Sequence, residues 1–543
     1  MRSLKFLLVF LFSFIAIGYA QTIVKGTLLG YDGKPMINAN VVIKQPLDNA
    51  VFKSYDVGKD GKFKFKVDTT GIWILYFIGV NHTAYQTALY VDKPATLDLN
   101  VRLSTYEYLS DFSHAEIMGN FNNWLAPNVK MEKNSDGTYS AEIDSKSDSV
   151  IYRLLNVAKG DAVEGTDASS YIYNDFEGYN SVILSKPGKV KIVFDPKKIV
   201  KSTRSNEATF SDSASLTVQF AITYNKILAN RLAIKKAIME YQSSGKDLHA
   251  FRYDWTKEVD LFTSEIKAEK NNLIRNELLT GYLDLATMTA KVDSAMVVKA
   301  IKDIPPSSFL WSLNPDILQS VFSIAGVRGE KYEESLKRFV SENKNVNVKS
   351  FALFLLFMDA RTQKKEDDAS KYYKTLVSEY ANTYIGAMVK KGFSDVVHIK
   401  VGSPIPKFSF VSLDDSSKVV TNESLKGKNY LIDFWATWCG PCVGQMKLLN
   451  DAYEKYKNKN FTIVSVSFDR TPQDIIKFRN EKWKMPWFNS FLAANMQSSI
   501  QKEFDIMGIP NPILVNDKGI VVAVLGDLYG EKLDKTLGNL LNK

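Results

Sequence analysis

The sequence predicts a multidomain protein in which two N-terminal β-sandwiches and a central all-α region precede a C-terminal α/β domain. Three observations support this fold class. Apolar and polar residues alternate in short runs from Thr22 to about Val200, a period of two that is typical of strands. Apolar residues then recur three and four positions apart to about Ser394, which is typical of helices. From there to the end of the chain, strand and helix patterns alternate.

The N-terminal segment, residues 1–20, predicts a secretory signal peptide. Arg2 and Lys5 precede an apolar run of about a dozen residues, and the small residue Ala20 ends the segment. The run is shorter than the ~20 residues that a membrane-spanning helix needs, so we expect cleavage after Ala20. No cysteine follows that would take a lipid, and we expect a periplasmic protein. An uncleaved anchor is the alternative.

Charge and cysteine content narrow the possible functions. The 543 residues carry a formal charge of +9, but the lysines are scattered among acids, so nucleic acid is not an expected partner. The two cysteines, Cys439 and Cys442, form one Cys-x-x-Cys. Cysteines three positions apart close too small a loop to stabilise a large fold, so the pair indicates chemistry.

A zinc site is the alternative for such a cysteine pair. It would need a second pair of ligands, and the four histidines are dispersed along the chain: His82, His114, His249 and His398. We therefore predict no metal and no cofactor beyond a redox-active Cys439–Cys442 disulfide.

The first β module is predicted over residues 21–103. A D-G-K-P turn, an N-A-N-V-V-I strand and a D-G-K-F-K-F hairpin follow one another in this range. The pattern resembles carboxypeptidase regulatory-like domains, which are small β-sandwiches. The resemblance implies a structural or docking role rather than catalysis.

The second β module is predicted over residues 104–200 and contains A-E-I-M-G-N-F-N-N-W, D-G-T-Y-S-A-E-I-D and V-I-Y-R-L-L. It resembles the early-set, glycogen-binding type of carbohydrate-binding domain. The resemblance implies that Trp124 stacks on a sugar ring and that Asn180 bonds its hydroxyls. Arg153 replaces the family's usual lysine, and a second stacking tryptophan has no counterpart. An immunoglobulin-like spacer is the alternative. A helical region, residues 201–397, follows.

The C-terminal domain is predicted over residues 398–543. Its K-N-Y-L-I-D-F-W-A-T-W-C-G-P-C segment indicates a buried strand that leads into a helix beginning at the cysteines. That segment, the downstream Gly-Ile-Pro and the final hairpin resemble thioredoxin, and the whole domain resembles the TlpA/ResA-like branch of exported thiol–disulfide oxidoreductases. The resemblance implies a thioredoxin fold.

The predicted reaction centres on the cysteines. Cys439 lies at a predicted helix N-terminus, where backbone N–H groups and the helix dipole favour a thiolate. We therefore expect Cys439 to attack a substrate disulfide and Cys442 to resolve the mixed disulfide. The family match implies that Asp433 moves the proton, with its pKa raised by burial. Gln445 stands where the branch commonly carries glutamate, and an amide cannot relay a proton.

The resemblance also implies a substrate-binding surface. It places Pro510 as a cis-proline beside the sulfurs, leaving with Ile509 a backbone edge for the substrate chain. The active-site residues Trp438, Gly440 and Pro441 are expected to complete this surface.

The direction of the reaction is predicted from the residues between the cysteines. The Gly440–Pro441 pair is that of thioredoxin, whose potential is about −270 mV, so we predict a reductase of protein disulfides with a membrane electron donor. A peroxidase is disfavoured because Ala436 stands where peroxiredoxins need threonine or serine. A glycan- or protein-binding adaptor with a regulatory redox domain is the alternative function. The oligomeric state is left open.

Overall fold

The computed structural model describes residues 21–46, 53–125, 127–160, 162–174, 178–201, 204–243, 251–288 and 292–542. The predicted signal peptide, residues 1–20, lies outside the described residues. The chain divides into two compact units: the first comprises residues 1–240 and 253–325, and the second comprises residues 241–252 and 326–543.

Two sheets form a first β-sandwich in the first unit. The strands are β1 (Thr22–Leu29), β2 (Ala39–Lys44), β3 (Lys53–Asp56), β4 (Lys62–Val67), β5 (Gly71–Gly79), β6 (Tyr85–Val91) and β7 (Ala95–Arg102). One sheet contains the order β7-β1-β4, with β1 parallel to β7, and the other has the order β3-β2-β5-β6. Alternate residues of β4 are buried, so that Phe63 and Phe65 join Trp73 and Phe77 in the core.

A second β-sandwich follows. Its strands are β8 (Glu116–Gly119), β9 (Val129–Lys130), β10 (Glu132–Lys133), β11 (Tyr139–Ser145), β12 (Ser149–Leu155), β13 (Ser170–Tyr173), β14 (Tyr179–Leu184) and β15 (Gly188–Phe194). They form sheets of order β10-β11-β15 and β13-β14-β12-β8-β9. Phe112, Tyr152 and Phe194 are buried in its core. Because these side chains belong to one buried cluster, the module has a core of its own. Each buried phenylalanine contributes ~1.5–3 kcal/mol.

The chain then returns to the first sandwich. Strand β16 (Glu207–Phe210) pairs antiparallel with β7, with Phe210 opposite Leu99. Asn206 fixes this return, because its Oδ1 accepts the Ser104 N–H at 2.6 Å and its Nδ2 donates to the Ala84 carbonyl at 2.9 Å. The range predicted as helical, residues 201–397, therefore contains a strand near its start. Its pairing partner is distant in sequence, so local periodicity did not reveal it.

The remaining elements of the first unit are helical. They are α1 (Leu216–Ser243), whose last residues belong to the second unit, α2 (Thr256–Ala268), α3 (Asn272–Met288), α4 (Ser294–Asp303) and α5 (Leu318–Ile324). Helix α3 is buried along most of its length. Its Asp284 accepts hydrogen bonds from Arg231 and, at 2.8 Å, from Asn314.

Four helices open the main part of the second unit: α6 (Glu330–Glu342), α7 (Val346–Thr362), α8 (Glu366–Ser378) and α9 (Tyr384–Gly392). Asn345 begins α7 by accepting the Asn347 N–H at 2.9 Å, and Thr383 begins α9 by accepting the Gly386 N–H at 3.0 Å. Side-chain oxygens at these positions satisfy N–H groups that have no partner within the helix. The two helices therefore begin where the sequence provides a cap.

The C-terminal domain completes the second unit. It contains β17 (Ser409–Val411), β18 (Val419–Thr421), β19 (Asn429–Trp435), α10 (Gly440–Tyr456), β20 (Phe461–Ser467), α11 (Pro472–Glu481), β21 (Phe488–Phe491), α12 (Ala494–Glu503), β22 (Asn511–Val515), β23 (Val521–Val524) and α13 (Lys532–Leu541). The sheet order is β21-β20-β19-β22-β23, with β19, β20 and β21 parallel and β22 and β23 antiparallel to their neighbours. This is a thioredoxin fold, and the predicted multidomain fold class is confirmed.

Among the residues that the structure describes, no helix combines the length and the apolar character needed to cross a membrane.

Candidate active site

The two cysteines lie at the start of α10 and form a disulfide. The S–S distance is 2.01 Å and the Cα atoms are 5.2 Å apart. Cys439 is the residue immediately before the helix, and its Sγ accepts the N–H of Cys442 at 3.2 Å. Pro441 occupies the first turn, where a missing N–H costs nothing. Sγ of Cys439 thus lies at the positive end of the helix dipole, which stabilises a thiolate after reduction.

The two sulfur-bearing residues differ in exposure. Cys439 is 6% exposed and Cys442 is 1% exposed, so Cys439 is the more accessible. Trp438, which precedes Cys439 in the chain, is 57% exposed, so a large apolar side chain next to the cysteines in sequence faces solvent. Gly440 is half-buried and Pro441 is exposed at the same edge of the domain. The residues predicted to contact substrate around the cysteines therefore lie together at the surface.

The Ile509–Pro510 peptide lies against the disulfide. The bond is cis, and the carbonyl oxygen of Ile509 is 3.5 Å from Sγ of Cys439. Strand β22 begins at the next residue, Asn511, which is paired with Phe434 of β19. The antiparallel pairing of these two central strands brings the Gly-Ile-Pro segment, seventy residues downstream, to the cysteines.

Asp433 is buried on β19, where it pairs with Pro512 of β22. Its side chain is 3% exposed, and its Oδ2 has no hydrogen-bond partner within the described part of the chain. Burial raises the pKa of Asp433 from 3.8 to about 7, because an unpaired carboxylate is poorly solvated in the interior. A carboxyl with this pKa can both take and return a proton near neutral pH.

Tyr529 is a site residue that the sequence analysis did not identify. Its hydroxyl donates a hydrogen bond to the Pro510 carbonyl oxygen. Burial, and secondarily the charge of Asp433, raise the pKa of Tyr529 to about 12. Tyr529 comes from the segment between β23 and α13, and no local pattern in the sequence marked it.

Gln445, one turn into α10, makes two hydrogen bonds to that same segment. Its Nε2 donates to the Leu528 carbonyl at 3.1 Å, and its Oε1 accepts the Gly530 N–H at 3.1 Å. Both ends of the amide are therefore used. Gln445 therefore holds the backbone on both sides of Tyr529, and its exclusion from proton transfer stays a prediction.

Asp469 is a second residue that the sequence analysis missed. It is 1% exposed and accepts the Thr437 N–H at 3.1 Å and the Thr437 hydroxyl at 2.6 Å. The Ser467 hydroxyl donates to it at 2.6 Å. Asp469 thus fixes the loop that leads from β19 to Cys439. The sequence did offer a signal for Asp469. It follows β20, and the carboxyl ends of adjacent parallel strands lie at one edge of a sheet, so a residue there lies near the end of β19.

The two predicted glycan-binding residues lie in the second β-sandwich of the first unit. The N–H of Trp124 donates to the Gly119 carbonyl at 3.0 Å, at the end of β8. Asn180 lies on β14, and its Oδ1 accepts a hydrogen bond from Asn174 at 3.3 Å. Trp124 lies in the turn that follows β8, and strand β12 separates β8 from β14 in the sheet, so the two residues come from parts of the sheet that do not pair with each other. Glycan binding by this module stays a prediction.

Within the described ranges, no group of three or more His, Cys, Asp and Glu side chains could hold a metal ion.

The strand order and the disulfide at the start of α10 define a thioredoxin-fold redox domain. Comparison with known proteins agrees: the model of the Redoxin family matches residues 400–526. The thiol-disulfide oxidoreductase ResA of Bacillus thuringiensis is 29% identical over 153 residues, which cover 28% of this chain and 84% of that protein. ResA of Bacillus subtilis is 26% identical over 149 residues, or 27% of this chain and 80% of that protein.

A solved structure is also similar to part of this chain. The thioredoxin domain of a thiol-disulfide oxidoreductase from Bacteroides vulgatus is 31% identical, covers 26% of this chain and 99% of that domain, and has a TM-score of 0.25. The C-terminal domain therefore contains a Redoxin domain and is similar to thiol-disulfide oxidoreductases of the ResA type. The chain is accordingly an oxidoreductase enzyme, and its sheet-rich first unit fits the predicted N-terminal β modules.

Proposed function

We propose that this protein is an exported reductase of protein disulfides that acts through the Cys439–Cys442 dithiol without a further cofactor. The observation that carries the proposal is the position of Cys439, at the start of α10 and 3.5 Å from the Ile509 carbonyl oxygen. This position favours a thiolate and leaves it beside a backbone edge on which a substrate chain can lie.

In the first step, the Cys439 thiolate attacks one sulfur of a substrate disulfide. A bond forms between Cys439 Sγ and that sulfur, and the substrate S–S bond breaks and releases the other sulfur as a thiolate. The greater exposure of Cys439, 6% against 1% for Cys442, supports this assignment of the attacking group.

In the second step, Cys442 loses its proton and attacks Sγ of Cys439. The mixed disulfide breaks, the second substrate thiolate leaves, and the Cys439–Cys442 disulfide forms. The substrate gains two electrons and two protons, and the dithiol is oxidised. Asp433 is proposed to take the proton from Cys442, because burial raises its pKa to about 7 and one of its oxygens has no partner.

Substrate is proposed to bind around the exposed ring of Trp438 and along the Ile509–Pro510 edge, with Gly440 and Pro441 beside it. An exposed aromatic ring next to a stretch of backbone suits contact with an extended polypeptide and does not by itself select one particular side chain. Protein disulfides of varied sequence are therefore the proposed substrate class.

The reducing direction is proposed from the Gly440–Pro441 pair, which is that of thioredoxin, at about −270 mV. The N-terminal segment supports export to the periplasm, an oxidising compartment in which the disulfide must be reduced again after each turnover. A membrane electron donor is the proposed source of those electrons.

The test is insulin reduction by the dithiol form of the full chain, with Cys439→Ser and Cys442→Ser as variants. We expect the wild-type dithiol to reduce one insulin disulfide per chain and Cys439→Ser to reduce none. Cys442→Ser should accumulate a mixed disulfide on Cys439, which mass spectrometry of the captured adduct would identify. A measured potential above about −150 mV would instead assign the protein as an oxidase.

A further inference from the structure

The segment between β23 and α13 is held from two sides. Gln445 of α10 bonds to the Leu528 carbonyl and to the Gly530 N–H, each at 3.1 Å. Tyr529 lies between these two contacts, and its hydroxyl donates a hydrogen bond to the Pro510 carbonyl oxygen. The amide of Gln445 thus fixes the backbone on both sides of the tyrosine whose hydroxyl reaches the cis-proline.

Two successive carbonyl groups of the cis-proline segment have defined partners. The Ile509 oxygen lies 3.5 Å from Sγ of Cys439, and the Pro510 oxygen accepts from Tyr529. With Pro510 held through its carbonyl, rotation of the Ile509 backbone is restricted. The edge that would pair with a substrate chain therefore has a fixed distance from the sulfur.

We propose that Tyr529 and Gln445 are positioning residues that set the Ile509–Pro510 edge for polypeptide substrates. The proposal rests on the function proposed above and adds a specificity to it. A polypeptide disulfide uses both the sulfur and the backbone edge, whereas a small disulfide without a peptide chain uses only the sulfur. Loss of the Tyr529 hydroxyl should therefore weaken polypeptide reduction selectively.

The identity of residue 445 supports this role. A glutamine amide offers a donor and an acceptor, and the Leu528 carbonyl and the Gly530 N–H need one of each. An ionised glutamate only accepts, so it would satisfy Gly530 and repel the Leu528 oxygen. Gln445→Glu should therefore loosen the segment that carries Tyr529.

The size of the effect follows from the hydrogen bond that is lost. One neutral hydrogen bond contributes ~0.5–1.5 kcal/mol net, which corresponds to a change in KM of roughly twofold to tenfold. We expect Tyr529→Phe and Gln445→Glu each to raise the KM for insulin within this range and to leave kcat within about twofold of wild type.

The experiment measures two reactions of the full chain. Insulin reduction is followed as KM and kcat with dithiothreitol to regenerate the dithiol, and the pre-reduced chain alone is reacted with 5,5′-dithiobis(2-nitrobenzoate), a small aromatic disulfide. The matched control is Tyr456→Phe, whose hydroxyl bonds to Asp534 at 3.0 Å near the far end of α10. That end is about 26 Å from Cys439 along the helix. The control should match wild type in both reactions.

The outcomes separate this inference from the proposed function. A raised KM for insulin, with an unchanged rate for the small disulfide, supports the positioning role. Unchanged KM in Tyr529→Phe, or equal slowing of both reactions, would overturn it while the reductase assignment stands. Wild type that reacts with the small disulfide but does not reduce insulin would overturn both.

Discussion

Arg361 of α7 forms a buried ion pair with Asp505, which follows α12 in the thioredoxin-fold domain. The guanidinium nitrogen lies 2.5 Å from the carboxylate oxygen, and the side chains are 4% and 10% exposed. The second oxygen of Asp505 accepts the Ile399 N–H at 2.7 Å, in the connection between α9 and the domain. One carboxylate therefore joins the helical part of the second unit to the redox domain.

Removing this charge should destabilise the second unit strongly. In Asp505→Asn, Arg361 would be left buried without a counter-charge, which typically costs about 3–5 kcal/mol. Urea unfolding of the oxidised full chain would measure the change. The control is Asp451→Asn, whose partner Lys447 is 70% exposed, and an exposed pair of this kind contributes little. Equal stability of the two variants would show that the pair does not anchor the domain.

The raised pKa of Asp433 makes stability depend on pH. Between pH about 4 and about 7 the folded state keeps a proton that the unfolded state has released, so stability falls as pH rises through this window. The slope is about 1.4 kcal/mol per pH unit. Above pH about 7 this contribution to stability is lost completely, and below pH about 4 it is fully present.

Asp433→Asn lacks this titration. At pH 8 the oxidised variant should be more stable than wild type by about 4 kcal/mol, with the gain disappearing below pH ~4. Unfolding midpoints between pH 4 and pH 8 would show it. Parallel curves for wild type and variant would mean that Asp433 titrates normally. For Asp451→Asn, the exposed control, the curve of unfolding midpoint against pH should run parallel to that of wild type.

Asp433 and Gln445 should differ in their effect on resolution of the mixed disulfide. Asp433→Asn removes the proposed proton acceptor, so attack by Cys442 should slow by roughly 100-fold or more, the usual range for a general base. Gln445→Ala should leave this step nearly unchanged. Single-turnover release of the second substrate thiol measures the rate, which in wild type should rise with pH through about 7. Equal rates in the two variants would remove the proton-transfer role from Asp433.

Asp469 should affect the reactivity of Cys439 through the loop that it holds. Asp469→Ala leaves the Thr437 N–H without its partner, which should cost about 1–3 kcal/mol and let the loop before Cys439 move. We expect a slower attack on small disulfides together with lower stability. Asp474→Ala is the control, because Asp474 accepts the Thr471 N–H at 3.1 Å at the exposed start of α11. If both variants attack at the wild-type rate, the loop does not depend on Asp469.

The sequence by itself determined the features that depend on local pattern. Alternation with a period of two indicated the two N-terminal β modules, though not β16, and the Cys-Gly-Pro-Cys segment after a buried strand placed the cysteines at a helix N-terminus. Neighbouring residues are enough for such assignments, because strand periodicity and helix caps are properties of a few consecutive residues.

The family resemblance implied that Asp433 and the Ile509–Pro510 segment lie at the cysteines, but only the tertiary structure decided the long-range contacts that hold them there. The pairing of β22 with β19 brings Ile509 to Cys439, and the segment before α13 brings Tyr529 to Pro510. The same packing buries Asp433 and so raises its pKa, and it joins Arg361 to Asp505. These relationships depend on long-range strand pairing and on burial, which the folded chain produces as a whole and no short segment encodes.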